Sequence, residues 1–181
     1  ASEGRLHIAG RVSARHDSAI TVSLDSEGYR IEEEQSGAVR ELAEGATGGA
    51  SSATWLPLEL EVAGSSATVR IAGRSIADVD GIERTQAGGV LMHYDGVVDI
   101  DNLELVSLEG DGAPAGEAVL IQDFADDFSG DTLLRWWEPA QSGTVEISDG
   151  TAALKADGRG HLSISGLQHR AVFPGKGVVT V

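Results

Sequence analysis

The chain has 181 residues, of which 41% are hydrophobic and only 4% aromatic, and its formal net charge is −16. This length suits one domain whose sizeable core consists mostly of Val, Ile, Leu and Ala. The negative charge excludes nucleic acid and anionic membrane surfaces as partners, because their phosphate groups would be repelled. No cysteine is present, which excludes disulfides and thiolate metal sites.

The same acidity fits two kinds of protein, a secreted domain that binds cations or a protein adapted to high salt. No run of the sequence approaches the roughly 18 consecutive apolar residues of a membrane-spanning helix. Membrane insertion is therefore not expected.

Apolar and polar residues alternate along most of the chain, which predicts half-buried strands. The first clear example is "ITVSLDS" (20–26), and "LELEV" followed by "TVRIAG" predicts a hairpin over 56–73. "VVDIDNLELVSL" predicts one long strand from Val97. "TVEISDGTAALKADG" (144–158) predicts two strands around a turn at Asp149-Gly150, and "HLSISG" and "AVFPGKGVVTV" predict two more.

Two stretches have some helical character. "SGDTLLRWWEPA" (129–140) predicts a short helix that Ser129 or Asp131 caps and Pro139 ends. "AVRELAEGA" (38–46) also has some helical propensity, but it is short and flanked by glycine, which makes it the weaker helix candidate. About a dozen to fourteen short strands with frequent turns predict an all-β fold of two antiparallel sheets packed face to face.

Parts of the chain resemble concanavalin A-like jelly rolls, a superfamily that includes laminarinase-type glycoside hydrolases, laminin-G-like modules and keto-disaccharide hydrolase-like domains. "DDFSGDTLLRWWEPAQSGTVEISDGTAAL" (126–154) is similar to the opening strands of that fold. "WLPLELEVAGSSATVRIAG" (55–73) and "GGVLMHYDGVVDIDNLELVSL" (88–108) are similar to its closing third. The resemblance implies a jelly-roll sandwich.

The closing part of the resemblance precedes the opening part. This order indicates either a circular permutation or a segment cut across tandem domains. Each piece alone would expose a large apolar face. We therefore expect one circularly permuted sandwich, built from 1–108 and 123–181 and joined by a linker at 109–122. The halves would pair within a monomer, or between chains in a domain-swapped assembly.

An acidic cluster near the start of the opening part suggests a calcium site. Asp and Gly-rich turns supply the carboxylate and carbonyl oxygens that calcium prefers. The resemblance implies a structural calcium where the first and last strands meet, at Asp127 and Asp101 with Asp126 nearby. The alternative is that these groups, with Asp123 and Asp131, are solvated turn carboxylates.

No catalytic residue is predicted. The laminarinase-type motif "E-[IL]-D-x-x-E" is absent, and strand-borne carboxylates such as Glu32 and Glu34 are interpreted as solvent-facing charges. The histidines show no metal-protease spacing, and no G-x-S-x-G motif is present. We expect the histidines to be scattered over the surface.

Aromatic side chains that stack on sugars are the remaining candidates. Trp136, Tyr94, His93 and Tyr29 are predicted to bind a ligand, whereas Trp55 is expected to pack in the core. The predicted function is a non-catalytic carbohydrate-binding or adhesion module, secreted or on the cell surface, whose partner is a glycan or polysaccharide. The alternatives are a glycoside hydrolase or polysaccharide lyase of the same fold, and a purely structural assembly domain.

Overall fold

A computed structural model describes residues 4–13, 17–47, 55–83, 85, 89–107, 124–130, 137–139, 143–164 and 176–180. These ranges contain strands and no helix, and hence no helix that could span a membrane. The strands are β1 (Arg5–Val12), β2 (Ser18–Leu24), β3 (Tyr29–Gln35), β4 (Ala38–Gly45), β5 (Leu58–Ala63), β6 (Ser66–Ile71), β7 (Arg74–Asp80), β8 (Gly89–Ile100), β9 (Leu103–Ser107), β10 (Phe124–Asp126), β11 (Trp137–Pro139), β12 (Gly143–Ser148), β13 (Thr151–Ile164) and β14 (Lys176–Thr180).

The strands form two antiparallel sheets, which confirms the all-β sandwich class. The first sheet has the order β11-β13-β8-β1-β2-β3-β4, and β12 also pairs with β13. The second sheet has the order β10-β9-β14-β5-β6-β7. Strands from 1–108 and from 123–181 hydrogen-bond to each other in both sheets, through β13 with β8, β10 with β9, and β14 with β5 and β9. The first and last strands, β1 and β14, lie in different sheets.

The local turn chemistry explains the two predicted hairpins. β5 and β6 pair through the turn after Ala63, and β12 and β13 pair on either side of Asp149-Gly150. Asp149 has φ 52° and Gly150 has φ 76°. Two consecutive left-handed residues form the tight turn whose twist matches antiparallel strands, and Asp-Gly adopts it readily.

The predicted long strand from Val97 is wrong in one respect. β8 ends at Ile100 in the first sheet, and β9 begins at Leu103 in the second. Asn102 has φ 51°, a left-handed conformation that asparagine tolerates better than most residues. The chain therefore crosses from one sheet to the other at Asp101-Asn102, where the alternation alone gave no sign of a break.

The helical interpretations do not hold for the residues that the structure describes. Most of the expected helix, 131–136, lies outside the described residues, but Trp137–Pro139 form strand β11. The stretch 38–46 forms β4, because pairing with β3 outweighs a weak helical propensity. "HLSISG" begins within β13, which continues from Thr151 to Ile164, instead of starting a separate strand.

The core lies between the sheets and is aliphatic, as the composition predicted. Alternate residues of each strand point inward, as in β5, where Leu58, Leu60 and Val62 are buried between half-exposed neighbours. From the first sheet the buried side chains include Ile8, Ile20, Val22, Ile31, Met92, Tyr94, Ile100, Ala152 and Leu154, and from the second they include Leu58, Leu60, Val62, Ala67, Val69, Ile71, Ala77 and Val79. The opposite face of the first sheet carries polar side chains such as His7 and Ser23, and also a second, smaller buried cluster of Ala9, Val12, Ala19 and Leu91.

Candidate functional site

A polar groove of about 580 Å³ lies along β1 to β4 of the first sheet. Its side chains are contributed by neighbouring strands and by the β2–β3 turn. The lining residues are Arg5, His7, Ser23, Asp25, Glu27, Gly28, Tyr29, Arg30, Glu32, Glu44 and Gly45. Charged and hydroxyl groups dominate this set, so the groove suits a polar ligand better than an apolar one.

Strand alternation explains why these side chains gather on one face. Ile8, Val22 and Ile31 point into the core. Their neighbours His7 and Ser23 therefore point outward, and the β1–β2 register sets the two directly opposite each other. The sheet thus assembles the groove from residues that lie far apart in the sequence.

One end of the groove is held by an ion pair between β1 and the β2–β3 turn. Arg5 donates to Asp25 Oδ2 from Nε at 2.9 Å and from Nη2 at 2.5 Å. Asp25 Oδ1 accepts from the backbone N–H groups of Glu27 and Gly28, each at 2.9 Å. Burial opposes ionisation of Asp25, but the Gly28 amide, Arg5 and the Glu27 amide outweigh it and lower the pKa of this carboxyl. The charged groups here are fixed before any ligand arrives.

His7 connects the groove to β8. Its Nδ1 lies 2.7 Å from Ser23 Oγ, and its Nε2 lies 3.3 Å from Asp95 Oδ2. In one tautomer the imidazole accepts the Ser23 proton and donates to Asp95, and in the other it donates to Ser23. The three groups form a hydrogen-bonded chain that can hold or transfer a proton beside the groove.

The expectation of scattered histidines is wrong for three of them. His7 on β1 lies directly opposite His93 on β8, and His93 lies directly opposite His161 on β13. Residues directly opposite in adjacent strands share one face of a sheet. His16 and His169 lie outside the described residues. The sequence spacing of the three could not reveal this row, because strand register alone creates it.

The other end of the groove contains Arg30 and Tyr29. The Arg30 guanidinium lies 3.2 Å from a carboxylate oxygen of Glu41 and 3.5 Å from one of Glu44. Tyr29 Oη donates to the backbone carbonyl of Ile76 on β7 at 2.8 Å. This bond ties the aromatic ring at the groove to the second sheet.

The predicted ligand-binding residues lie in different parts of the fold. Tyr29 lines the groove, but its ring packs against the core and its Oη bonds to the second sheet. His93 lies half-buried on the outer face of the first sheet. The prediction that Tyr94 binds a ligand is wrong. Tyr94 is 0% exposed and packs in the core, because it points to the opposite side of β8 from His93 and Asp95. Trp136 lies outside the described residues.

The prediction for Trp55 is also wrong. It was expected in the core, but its relative exposure is 60%, one of the largest among the described hydrophobic residues. It precedes β5 in sequence and is not part of that strand, so strand alternation does not direct its ring inward.

The predicted calcium residues lie near the meeting point of the two sequence motifs. β10 pairs with β9 so that Asp126 lies opposite Leu103, two residues after Asp101. Asp126 Oδ1 accepts from the Phe128 N–H at 2.8 Å, and Asp127 Oδ1 accepts from the Ser129 N–H at 3.0 Å. The Ser129 hydroxyl and amide lower the pKa of Asp127.

The turn between β12 and β13 approaches the same place, because a Cβ on Gly150 would lie 3.6 Å from the Asp127 carbonyl oxygen. Throughout the part of the chain that the structure describes, no three carboxylate or imidazole groups already surround one point. Asp123 and Asp131 lie outside that part. Calcium binding at Asp101, Asp126 and Asp127 stays a prediction.

The residues that sequence reasoning missed are Arg5, His7, Ser23, Asp25 and Asp95. Alternation in "RLHIAG" sets Arg5 and His7 on one side of a strand, which was a usable signal. Nothing in the sequence set that strand beside β8. Protein-family models and curated proteins were both compared with the chain, and neither comparison produced a match.

Proposed function

We propose that the protein is a non-catalytic carbohydrate-binding module of an extracellular or cell-surface protein, and that glycans bind in the groove on the first sheet. The observation that carries the proposal is the groove itself, a polar cavity of about 580 Å³ whose lining comes mostly from the strands of one sheet. Binding sites built on strands hold their side chains in place better than sites built on loops.

The groove chemistry suits sugar hydroxyls. Each hydroxyl both donates and accepts, and the groove offers carboxylates, guanidinium groups and a hydroxyl side by side. The bonds of Arg5 with Asp25 and of Arg30 with Glu41 and Glu44 hold these groups in position.

The charge of the groove favours a neutral glycan. Its carboxylates are Asp25, Glu27, Glu32 and Glu44, and only Arg5 and Arg30 are permanently positive. The chain as a whole carries a net charge of −16, so an acidic polysaccharide would be repelled.

A structural calcium at Asp101, Asp126 and Asp127 is the second element of the proposal. It would join the β8–β9 crossing to the end of β10, which are brought together by the β9–β10 pairing. Oxygen-rich turns of this kind match the ligand preference of calcium.

A second candidate is an enzyme that acts on a polysaccharide in the same groove. The chain of hydrogen bonds from Ser23 through His7 to Asp95 favours it, because a neutral imidazole in this position can accept a proton. A purely structural assembly domain is the remaining alternative, and it would need no ligand in the groove.

Glycan-array screening followed by calorimetry tests the proposal. Arg30→Ala removes a groove arginine that pairs with two glutamates, and Arg70→Ala removes an arginine that likewise pairs with two glutamates, Glu59 and Glu61, on the second sheet. We expect Arg30→Ala to weaken glycan binding about tenfold or more, and Arg70→Ala to leave it unchanged.

The outcomes separate the three functions. Absence of binding to any neutral glycan, or equal losses in both variants, would contradict a groove-based glycan site. Turnover of a polysaccharide that Ser23→Ala or His7→Gln abolishes would establish the enzyme instead.

A further inference from the structure

The hydrogen bonds of His7 suit both of its charge states. The residue is almost fully buried, with a relative exposure of 9%. Ser23 Oγ lies 2.7 Å from its Nδ1, and Asp95 Oδ2 lies 3.3 Å from its Nε2. A hydroxyl group can donate or accept a hydrogen bond, whereas an ionised carboxylate can only accept. Each ring nitrogen therefore has a suitable partner whether the imidazole is neutral or carries a second proton.

Asp95 determines which nitrogen of the neutral ring carries the proton. Because the carboxylate cannot donate, a hydrogen bond at Nε2 requires the proton to be on Nε2. Nδ1 then has only a lone pair, so it accepts the hydrogen of the Ser23 hydroxyl. Ser23 lines the groove. In this state it offers a ligand in the groove only the lone pairs of its oxygen.

A second proton on His7 reverses the role of Ser23. The protonated Nδ1 becomes a donor, and Ser23 Oγ has to accept from it. The hydroxyl hydrogen is then released from the ring and can be donated to a ligand in the groove. Imidazole is the side chain whose ordinary charge change falls between pH 5 and pH 8. One proton taken up by His7 from solvent thus changes Ser23 from an acceptor into a donor.

The surroundings of His7 contain charges of both signs. These groups are Arg5 on β1, Asp25 in the β2–β3 turn, His93 and Asp95 on β8, Arg30 and Glu32 on β3, Glu44 on β4 and, by register position, Arg159 and His161 on β13. Although burial opposes its ionisation, hydrogen bonds from the Gly28 amide and from Arg5 lower the pKa of Asp25. The Arg5–Asp25 pair therefore keeps its charges between pH 8 and pH 5.5, and the histidines are the groups that change.

We propose that His7 is a pH-dependent switch that sets the hydrogen-bonding role of Ser23 and thereby the kind of glycan group that the groove favours. The switch rests on the proposed function, because it acts on binding only if a glycan occupies the groove. Sugar hydroxyls donate as well as accept, so they fit Ser23 in both states. A carbonyl oxygen, such as that of an acetamido sugar, only accepts. Acidification should therefore favour acetamido glycans over glycans that carry hydroxyls alone.

Nitrogen NMR of the free chain tests the switch without any ligand. At pH 8 the imidazole signals of His7 should show a proton on Nε2 and none on Nδ1, and by pH 5.5 both nitrogens should be protonated. Sequential assignment of the wild-type chain identifies the ring, so no variant has to fold for this measurement. A proton on Nδ1 at pH 8, or a ring that gains no second proton by pH 5.5, would overturn the proposal.

Calorimetry at the same two pH values tests the consequence for the groove. The probes are tri-N-acetylchitotriose and cellotriose, two neutral trisaccharides that differ only in the acetamido or hydroxyl group at carbon 2 of each sugar. Affinity for tri-N-acetylchitotriose should rise about three- to tenfold from pH 8 to pH 5.5, which is the effect of one hydrogen bond. Affinity for cellotriose should not rise.

Ser23→Ala and His7→Gln should each remove the pH-dependent rise. Two matched controls should keep it: Ser75→Ala, which removes a serine hydroxyl from the second sheet, and His93→Gln, which removes the imidazole opposite His7. An equal rise for both trisaccharides, or a rise that survives in folded His7→Gln, would refute the switch. Absence of binding to both sugars would instead count against the proposed glycan function, and the NMR titration would still decide whether His7 controls Ser23.

Discussion

The Tyr94 hydroxyl is predicted to lower the stability of the fold. Tyr94 is 0% exposed within the aliphatic core, and burial raises the pKa of its phenol. Among the described residues its Oη has no hydrogen-bond partner. A buried polar group without a partner costs about 1–3 kcal/mol. Removing the oxygen by Tyr94→Phe should return that free energy while the ring continues to fill the same space.

The expected change can be measured by thermal or urea unfolding. An increase of about 1–3 kcal/mol in the free energy of unfolding corresponds to a melting temperature about 2–12 °C higher for a chain of this size. Far-ultraviolet circular dichroism at neutral pH provides the signal, and wild type and variant are compared in one buffer.

Tyr29→Phe is the matched control, because it removes a hydroxyl that does have a partner. Tyr29 Oη donates to the Ile76 carbonyl at 2.8 Å. Its loss should lower the free energy of unfolding by about 0.5–1.5 kcal/mol. Opposite signs for the two variants are the expected result. A Tyr94→Phe protein that is less stable than the wild type would refute the reasoning, since it would show that the hydroxyl has a stabilising partner.

Three further predictions concern pH, packing and calcium. The folded-state pKa of Asp25 is lowered from 3.8, so the ionised carboxylate stabilises the fold fully above that value and progressively less as the pH falls below it. Between pH 6 and pH 2, the difference in free energy of unfolding between wild type and Asp25→Asn should therefore shrink. A difference that stays constant over this range would contradict the prediction. Leu60→Ala should cost about 2–5 kcal/mol, because Leu60 is 0% exposed, whereas Val39→Ala, at a side chain 62% exposed, should change the free energy of unfolding by no more than about 0.5 kcal/mol in the same denaturation assay. Calcium added after EDTA treatment should raise the melting temperature of the wild type but not of Asp127→Asn, and an unchanged melting temperature in the wild type would argue against the calcium site.

The sequence alone was sufficient to predict the fold class and several local elements. The alternation in "LELEV" and "TVRIAG" reports which side of a strand is apolar, and burial then determines which side faces the other sheet. Asp149-Gly150 specified its own turn, because left-handed backbone favours those residue types. These features depend on residues close together in the chain.

Residues close together in the chain could not determine which strands become neighbours. β1 lies between β2 and β8, so His7 meets Ser23 on one side and His93 and Asp95 on the other, although Asp95 is 88 positions away. The crossing at Asp101-Asn102 likewise depends on a distant strand, because β9 pairs with β14 in the second sheet. Strand order and register arise from the packing of two whole sheets against each other. For that reason the composition and alternation of this chain determined its sandwich, while only the tertiary structure decided that its groove and its histidine row exist.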